Sequence, residues 1–158
     1  MSVLTISARH LDQIRTHAEK CYPHECCGLI LGQITANSDQ IAVELIPTEN
    51  AWNDRSAETF EEIETADQPV TTPERRYTID PQVFIQAQKR GRARDLSIIG
   101  IYHSHPDHSA IPSEFDRLCA WSQYSYIIVS VKRGKATDVQ NWRLDENHQF
   151  QPEEFHPT

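Results

Sequence analysis

Apolar residues recur at helical spacing near the start of the chain. Leu11, Ile14, Ala18 and Cys21 lie three or four apart and would share one face of a helix. Ser7 is placed to cap that helix, and Ile6 and Leu11 to staple its entry. Pro23 ends it. The apolar run over 28–34 predicts a buried strand, Asn37-Ser38-Asp39 a turn, and the alternation over 41–46 a second strand. Between about 49 and 76 the periodicity disappears. That stretch is rich in Glu, Asp and Thr, carries Pro69 and Pro73, and reads as a long acidic loop insertion. Order returns at Tyr77. Asp80 caps a helix with Pro81 at its first position, Gly91 just past its end, and Val83, Phe84 and Ala87 on its apolar face. A strand over 98–105, a short helix over 113–121, and strands over 124–132 and 137–144 follow. Arg133-Gly134-Lys135 is the turn between the last two, and the tail through Pro157 adds a short edge strand. Mixed elements with hairpin-length links predict an α+β, three-layer arrangement: a mixed, mostly antiparallel sheet flanked by helices.

Length and charge narrow the function classes. A chain of 158 residues suits one domain, taken as 1–158. The net charge of −8 argues against a general nucleic-acid surface or an anionic-membrane surface. No apolar run approaches the roughly 18–20 residues that span a bilayer. Met1 to His10 lacks the charged head and apolar stretch of a secretory signal, so a cytoplasmic protein is expected. Cys21, Cys26, Cys27 and Cys119 match no disulfide framework and no Cys-x-x-Cys pair. In a reducing compartment they are expected as free, mostly packed thiols. Tyr102, Trp121 and Trp142 are expected in the core.

The chemistry concentrates between Tyr102 and Asp116. Side chains alternate along a strand, so His103 and His105 share a face and form a two-imidazole bite. Pro106 takes the chain out of the sheet. Ser113 then opens a helix whose first turn carries Asp116. Ser113-x-x-Asp116 is by itself a helix-capping box, and a capping aspartate remains able to complete a His₂-carboxylate site. Three protein ligands leave a fourth position open, as in catalytic zinc centres. The ligand types also suit iron(II) or manganese. Two other motifs fail. His24-Glu25 would begin a His-Glu-x-x-His site, but position 28 is Gly. Zinc nucleobase deaminases need a Pro-Cys-x-x-Cys that is missing.

His103-Ser104-His105, seven residues, then Ser113-x-x-Asp116 is the motif of the JAMM (MPN⁺) metallopeptidases, residue for residue. The upstream segment from Pro23-His24-Glu25-Cys26-Cys27-Gly28 to Gly32 resembles the Glu-bearing element of the same family. This resemblance covers nearly the whole chain and implies a JAB/MPN-like, cytidine-deaminase-like core. It implies one zinc ion per chain held by His103, His105 and Asp116, with Glu25 as general base and Ser113 as oxyanion donor. His108 is expected on the substrate side rather than as a fourth ligand, and Cys119 as a packed thiol. The compact chain is most similar to stand-alone prokaryotic members, which implies peptide or isopeptide hydrolysis. The substrate implied is the C-terminus of a ubiquitin-like, sulfur-carrier protein, with neither nucleic acid nor membrane as partner. The competing class is a non-catalytic scaffold of the same fold. Such members lack one or more of the ligands, whereas all five residues are present here.

Overall fold

A computed structural model describes residues 2–52 and 76–157. The acidic insertion expected over 49–76 falls almost entirely outside them. In chain order the elements are β1 (Val3–Ile6), α1 (Ala8–Cys21), β2 (Cys27–Ile34), β3 (Gln40–Thr48), α2 (Pro81–Arg92) and β4 (Ser97–Pro106). They continue with α3 (Glu114–Cys119), β5 (Ser125–Lys132), β6 (Lys135–Leu144), β7 (Phe150–Pro152) and β8 (Glu154–Pro157). No described helix is long and apolar enough to cross a membrane.

Among the described residues, eight strands form one sheet in the order β7-β6-β5-β4-β2-β3-β1-β8. Pairing is mixed: β4–β5, β1–β3 and β1–β8 are parallel, and the other neighbours antiparallel. The α+β, three-layer expectation therefore holds. One core joins α1 to one face of the sheet through Leu11, Ile14, Ala18, Ile30, Ile99 and Val129. A second joins α2 to the other face through Ala87, Leu29, Leu31, Ile98 and Ile101. Apolar burial at roughly 25 cal/mol per Å² on both faces is the main force holding the layers together.

Helix entry follows the sequence chemistry. Ser7 Oγ accepts the His10 N–H at 3.0 Å, and Asp80 Oδ1 accepts the Gln82 N–H at 2.9 Å. The end of α2 differs from expectation. Gly91 lies inside the last turn, not beyond it, and a Cβ there would stand 2.7 Å from the Leu96 carbonyl oxygen. The glycine serves close backbone approach rather than a left-handed cap. Trp121 is also not in the core. The helix stops at Cys119, the Trp121 N–H is taken by Tyr126 Oη at 2.7 Å, and the ring lies 62% exposed.

Two features of the sheet escaped the hydrophobic pattern. Val3–Ile6 is a strand, too short to show a period. The tail supplies two strands, not one, and they pair at opposite edges of the sheet although a single residue, Glu153, separates them. The sheet is therefore curled until its edges share one chain segment. A buried polar cluster fills the curl: Ser125 Oγ–H donates to Gln40 at 2.8 Å, and Asn141 Nδ2 donates to Glu153 at 2.9 Å. Arg143 lies 3.4 Å from the Glu153 carboxylate. Each buried polar atom left without such a partner would cost about 1–3 kcal/mol.

Gly28 gives the first testable consequence. It pairs with Tyr102 across β2 and β4, and the tyrosine ring lies over it. A Cβ at position 28 would meet ring atoms at 2.2–2.4 Å. Tyr102 is fully buried and its hydroxyl lies 2.7 Å from His17 Nδ1, so the ring has nowhere to go. Gly28→Ala is expected to lose about 1–3 kcal/mol of stability, the usual range for overpacking. A urea midpoint unchanged from the native protein would contradict this.

Candidate metal centre

The register of two antiparallel strands builds the site. Cys27 of β2 stands opposite His103 of β4. Two residues back along one strand and two forward along the other, Glu25 comes beside His105. Period two keeps Glu25, Cys27, His103 and His105 on one face. Ser104 points the other way and its Oγ accepts the Cys26 N–H at 2.8 Å, clamping the segment that carries Glu25. Glu25, His103 and His105 are all buried and offer donor atoms within 4.8 Å of one another.

Asp116 arrives from above. The chain leaves β4 at Pro106 and returns as α3, whose cap is Ser113. Ser113 Oγ accepts the Asp116 N–H at 3.0 Å, and Asp116 Oδ2 accepts the Ser113 N–H at 2.9 Å. This reciprocal box fixes the carboxylate over the imidazoles. Asp116 Oδ2 lies 3.1 Å from His105 Nε2 and 3.4 Å from His103 Nε2, and the two Nε2 atoms are 3.1 Å apart.

These three atoms form a triangle with edges of 3.1, 3.1 and 3.4 Å. Tetrahedral zinc with N and O ligands at about 2.0–2.2 Å requires ligand–ligand edges of about 3.3–3.6 Å. The donor set fits such an ion with almost no movement. The outer contacts support it. His105 Nδ1–H donates to the Ser109 carbonyl at 2.8 Å, which turns Nε2 inward toward Asp116, where its lone pair would serve an ion that displaces the Nε2 proton. His103 is held differently: its ring stacks on Tyr77 at 4.6 Å, and Nδ1 has no hydrogen-bond partner among the described residues.

Electrostatics separates the two carboxylates. Burial pushes Glu25 well above its ordinary value, and the Asp116 charge adds to this against the opposing pull of His105 and Arg76. Burial also opposes the charge on Asp116, but the two histidines outweigh it and hold that carboxyl well below its usual range. Burial lowers His103. Burial works the same way on His105, yet its hydrogen bond to Asp116 and the Asp116 charge outweigh it and raise the group to about 9. Paired titratable groups driven apart in this way mark reactive centres.

Residues outside the motif complete the surroundings. Asn50 Nδ2 donates to the Glu25 carbonyl at 3.2 Å and to the Arg76 carbonyl at 2.9 Å. The Arg76 guanidinium lies 4.2 Å over the Phe115 ring, and Trp52 meets the same ring edge-on. Segments 50–52 and 76–78 thus meet beside the site, joined also by the Ala51 N–H to Thr78 carbonyl bond of 3.0 Å. No spacing in the sequence announced Asn50, Arg76 or Tyr77. The only available signal was Tyr77, where periodic order resumes. His108 is exposed, and the Cys119 thiol is partly buried and pushed up to about 12 by burial.

Residues 7–145 match the family of prokaryotic homologues of the JAB domain. The chain belongs to that family. It is 26% identical over 150 residues to the desampylase of Haloferax volcanii, covering 92% of this chain and 91% of that protein. It is 28% identical over 131 residues to tail tip assembly protein K of Escherichia phage N15, covering 82% of this chain but only 42% of the phage protein. Among solved structures, a protein of Desulfitobacterium hafniense matches with a TM-score of 0.74 at 22% identity, covering all of this chain and 93% of that one. A Salinibacter ruber protein matches at 0.68 with 29% identity, covering all of this chain and 92% of that one. The JAB-type fold expected from the motif is thereby shown.

Proposed function

We propose that this JAB-domain protein is a zinc-dependent metallopeptidase. It would hydrolyse a peptide or isopeptide bond at the C-terminus of a ubiquitin-like protein of the sulfur-carrier type. The observation that carries the reading is the triangle of His103, His105 and Asp116 donor atoms at tetrahedral ligand spacing, with a buried carboxylate beside it. A relative named desampylase, similar along nearly its whole length, supports hydrolysis of a protein conjugate. The reading assigns the reaction to one domain over 1–158 acting in the cytoplasm.

His103, His105 and Asp116 would hold the ion, which would polarise the scissile carbonyl and make water a better nucleophile near neutral pH. Glu25 acts as general base, taking the proton of the attacking water and passing it to the leaving amine. Ser113 keeps its hydroxyl hydrogen free while its oxygen caps α3, so the hydrogen is available to the developing oxyanion. The Ser109 carbonyl fixes His105, and Tyr77 fixes His103.

The test is metal content per chain together with hydrolysis of a ubiquitin-like conjugate, on the native protein and on His103→Ala purified identically. About one zinc per native chain, absent from the variant along with cleavage, is the expected result. A native protein that takes up no zinc would remove the enzymatic reading and leave a scaffold.

A further inference from the structure

An apolar cleft of about 390 Å³ adjoins the metal centre and is not used by the chemistry above. Its size is at the low end of ligand clefts, which span about 300–1,000 Å³. Two of its walls are shared with the centre: Asp116, and Tyr77, whose ring stacks on His103. Ile101, Phe115 and Tyr126 are among the other lining residues, and the exposed Leu118 and Trp121 stand at the mouth. The Tyr126 hydroxyl oxygen accepts the Trp121 N–H, which ties that wall to the turn carrying Trp121.

The mouth is unusual for a surface. Leu118 is 41% and Trp121 62% exposed, on a short helix and the turn that follows it. Contiguous exposed apolar residues at the rim of a cleft mark interaction surfaces, unlike singly scattered ones. Because the cleft borders Asp116 itself, a group that fills it would lie beside the site of the proposed reaction. A separate partner docking there would block the substrate.

We infer that this cleft is a specificity subsite that seats a bulky apolar side chain of the substrate, from a residue adjacent to the scissile bond. The inference rests on the proposed peptidase reading. Phe115 and Asp116 are consecutive in α3, so one helix positions both the metal-facing carboxylate and a wall of the subsite. A substrate side chain seated against Phe115 would therefore hold its own backbone at a fixed distance from the centre, the positional effect that raises turnover. An acidic side chain would lose hydration there and face the Asp116 carboxylate.

The experiment uses the zinc-loaded full chain and two series of capped peptides. In each, one residue flanking the scissile bond is Leu, Ser or Asp, on the acyl side in one series and the amine side in the other. One series is expected to show Leu favoured over Asp by on the order of 10-fold or more in kcat/KM, which identifies the side. Leu118→Asp, which puts a charge at the mouth of the subsite, should erase that preference through KM while leaving the zinc content unchanged. Equal rates for Leu and Asp in both series, with hydrolysis intact, would overturn the subsite and leave the peptidase reading standing. Binding is read independently from the Trp121 emission, using Trp121→Phe as the blank. A blue shift with the Leu peptide and not the Asp peptide supports the cleft even if nothing is cleaved, in which case the peptidase reading is what fails. The absence of any shift or preference overturns the inference.

Discussion

Glu25→Gln is expected to retain its zinc and lose hydrolysis by about 10²–10⁴-fold in kcat, the usual worth of a positioned proton-transfer group. The substitution is nearly isosteric and leaves the three donor atoms of the metal site unchanged. Gln accepts no proton at any relevant pH, so substrate would still bind and KM should move little. The fold should not suffer. Burial raises the folded pKa of Glu25 above its unfolded value. Its contribution to stability is therefore full below the unfolded pKa and is lost as pH rises through the folded one. The metal-free native protein should lose stability over that rise, and the metal-free Gln variant should lose less. Urea unfolding in the presence of a chelator, at several pH values, measures this apart from activity. A Glu25→Gln protein that cleaves at the native rate would end the assignment of the base.

Asp116→Asn separates two roles held by one carboxylate. If Asp116 only caps α3, its amide oxygen can still accept the Ser113 N–H, and the change would lie within the roughly 0.5–2 kcal/mol that a whole cap is worth. If it also holds the ion, the loss of the anion should weaken zinc binding by more than the 10–100-fold that outer-shell changes cause. We expect the second outcome: a folded protein, less stable without metal at neutral pH because His105 loses its carboxylate partner, that no longer retains zinc and has no measurable hydrolysis. Zinc retention at native affinity would reduce Asp116 to a helix cap. Substitution with Ala would be less informative, because it removes the cap and the ligand together.

The parts legible in the sequence were those whose physics is local. Ser7, Asp80 and Ser113 cap helices because a short side-chain oxygen reaches an orphan N–H two or three residues on. The faces of α1 and α2 follow from apolar spacing. His103 and His105 share a side because strands alternate, and Asp116 is held by a box written within four residues. Trp121 was misplaced because an aromatic residue carries no local mark of its direction once a helix has ended. The strand Val3–Ile6 and the split tail were missed because three or four residues are too few for a period to show.

The sequence by itself determined the same-face histidine pair, the capped aspartate and the helices around them, since each depends on residues within one turn or one strand. Only the tertiary structure decided that Glu25, nearly eighty residues before His103, joins them. That follows from the register in which Cys27 meets His103, and a slip of one residue would have turned the whole face away. A bulge between β2 and β4 did the same for the core below. Ile98 and Leu31 are paired, as are Gly100 and Ile30, leaving Ile99 as the extra residue. Ile98 and Ile101, of opposite parity in sequence, therefore enter one core with the metal-facing side of β4. Strand alternation gives no sign of such a shift, because a bulge is a relation between two strands and not a property of one.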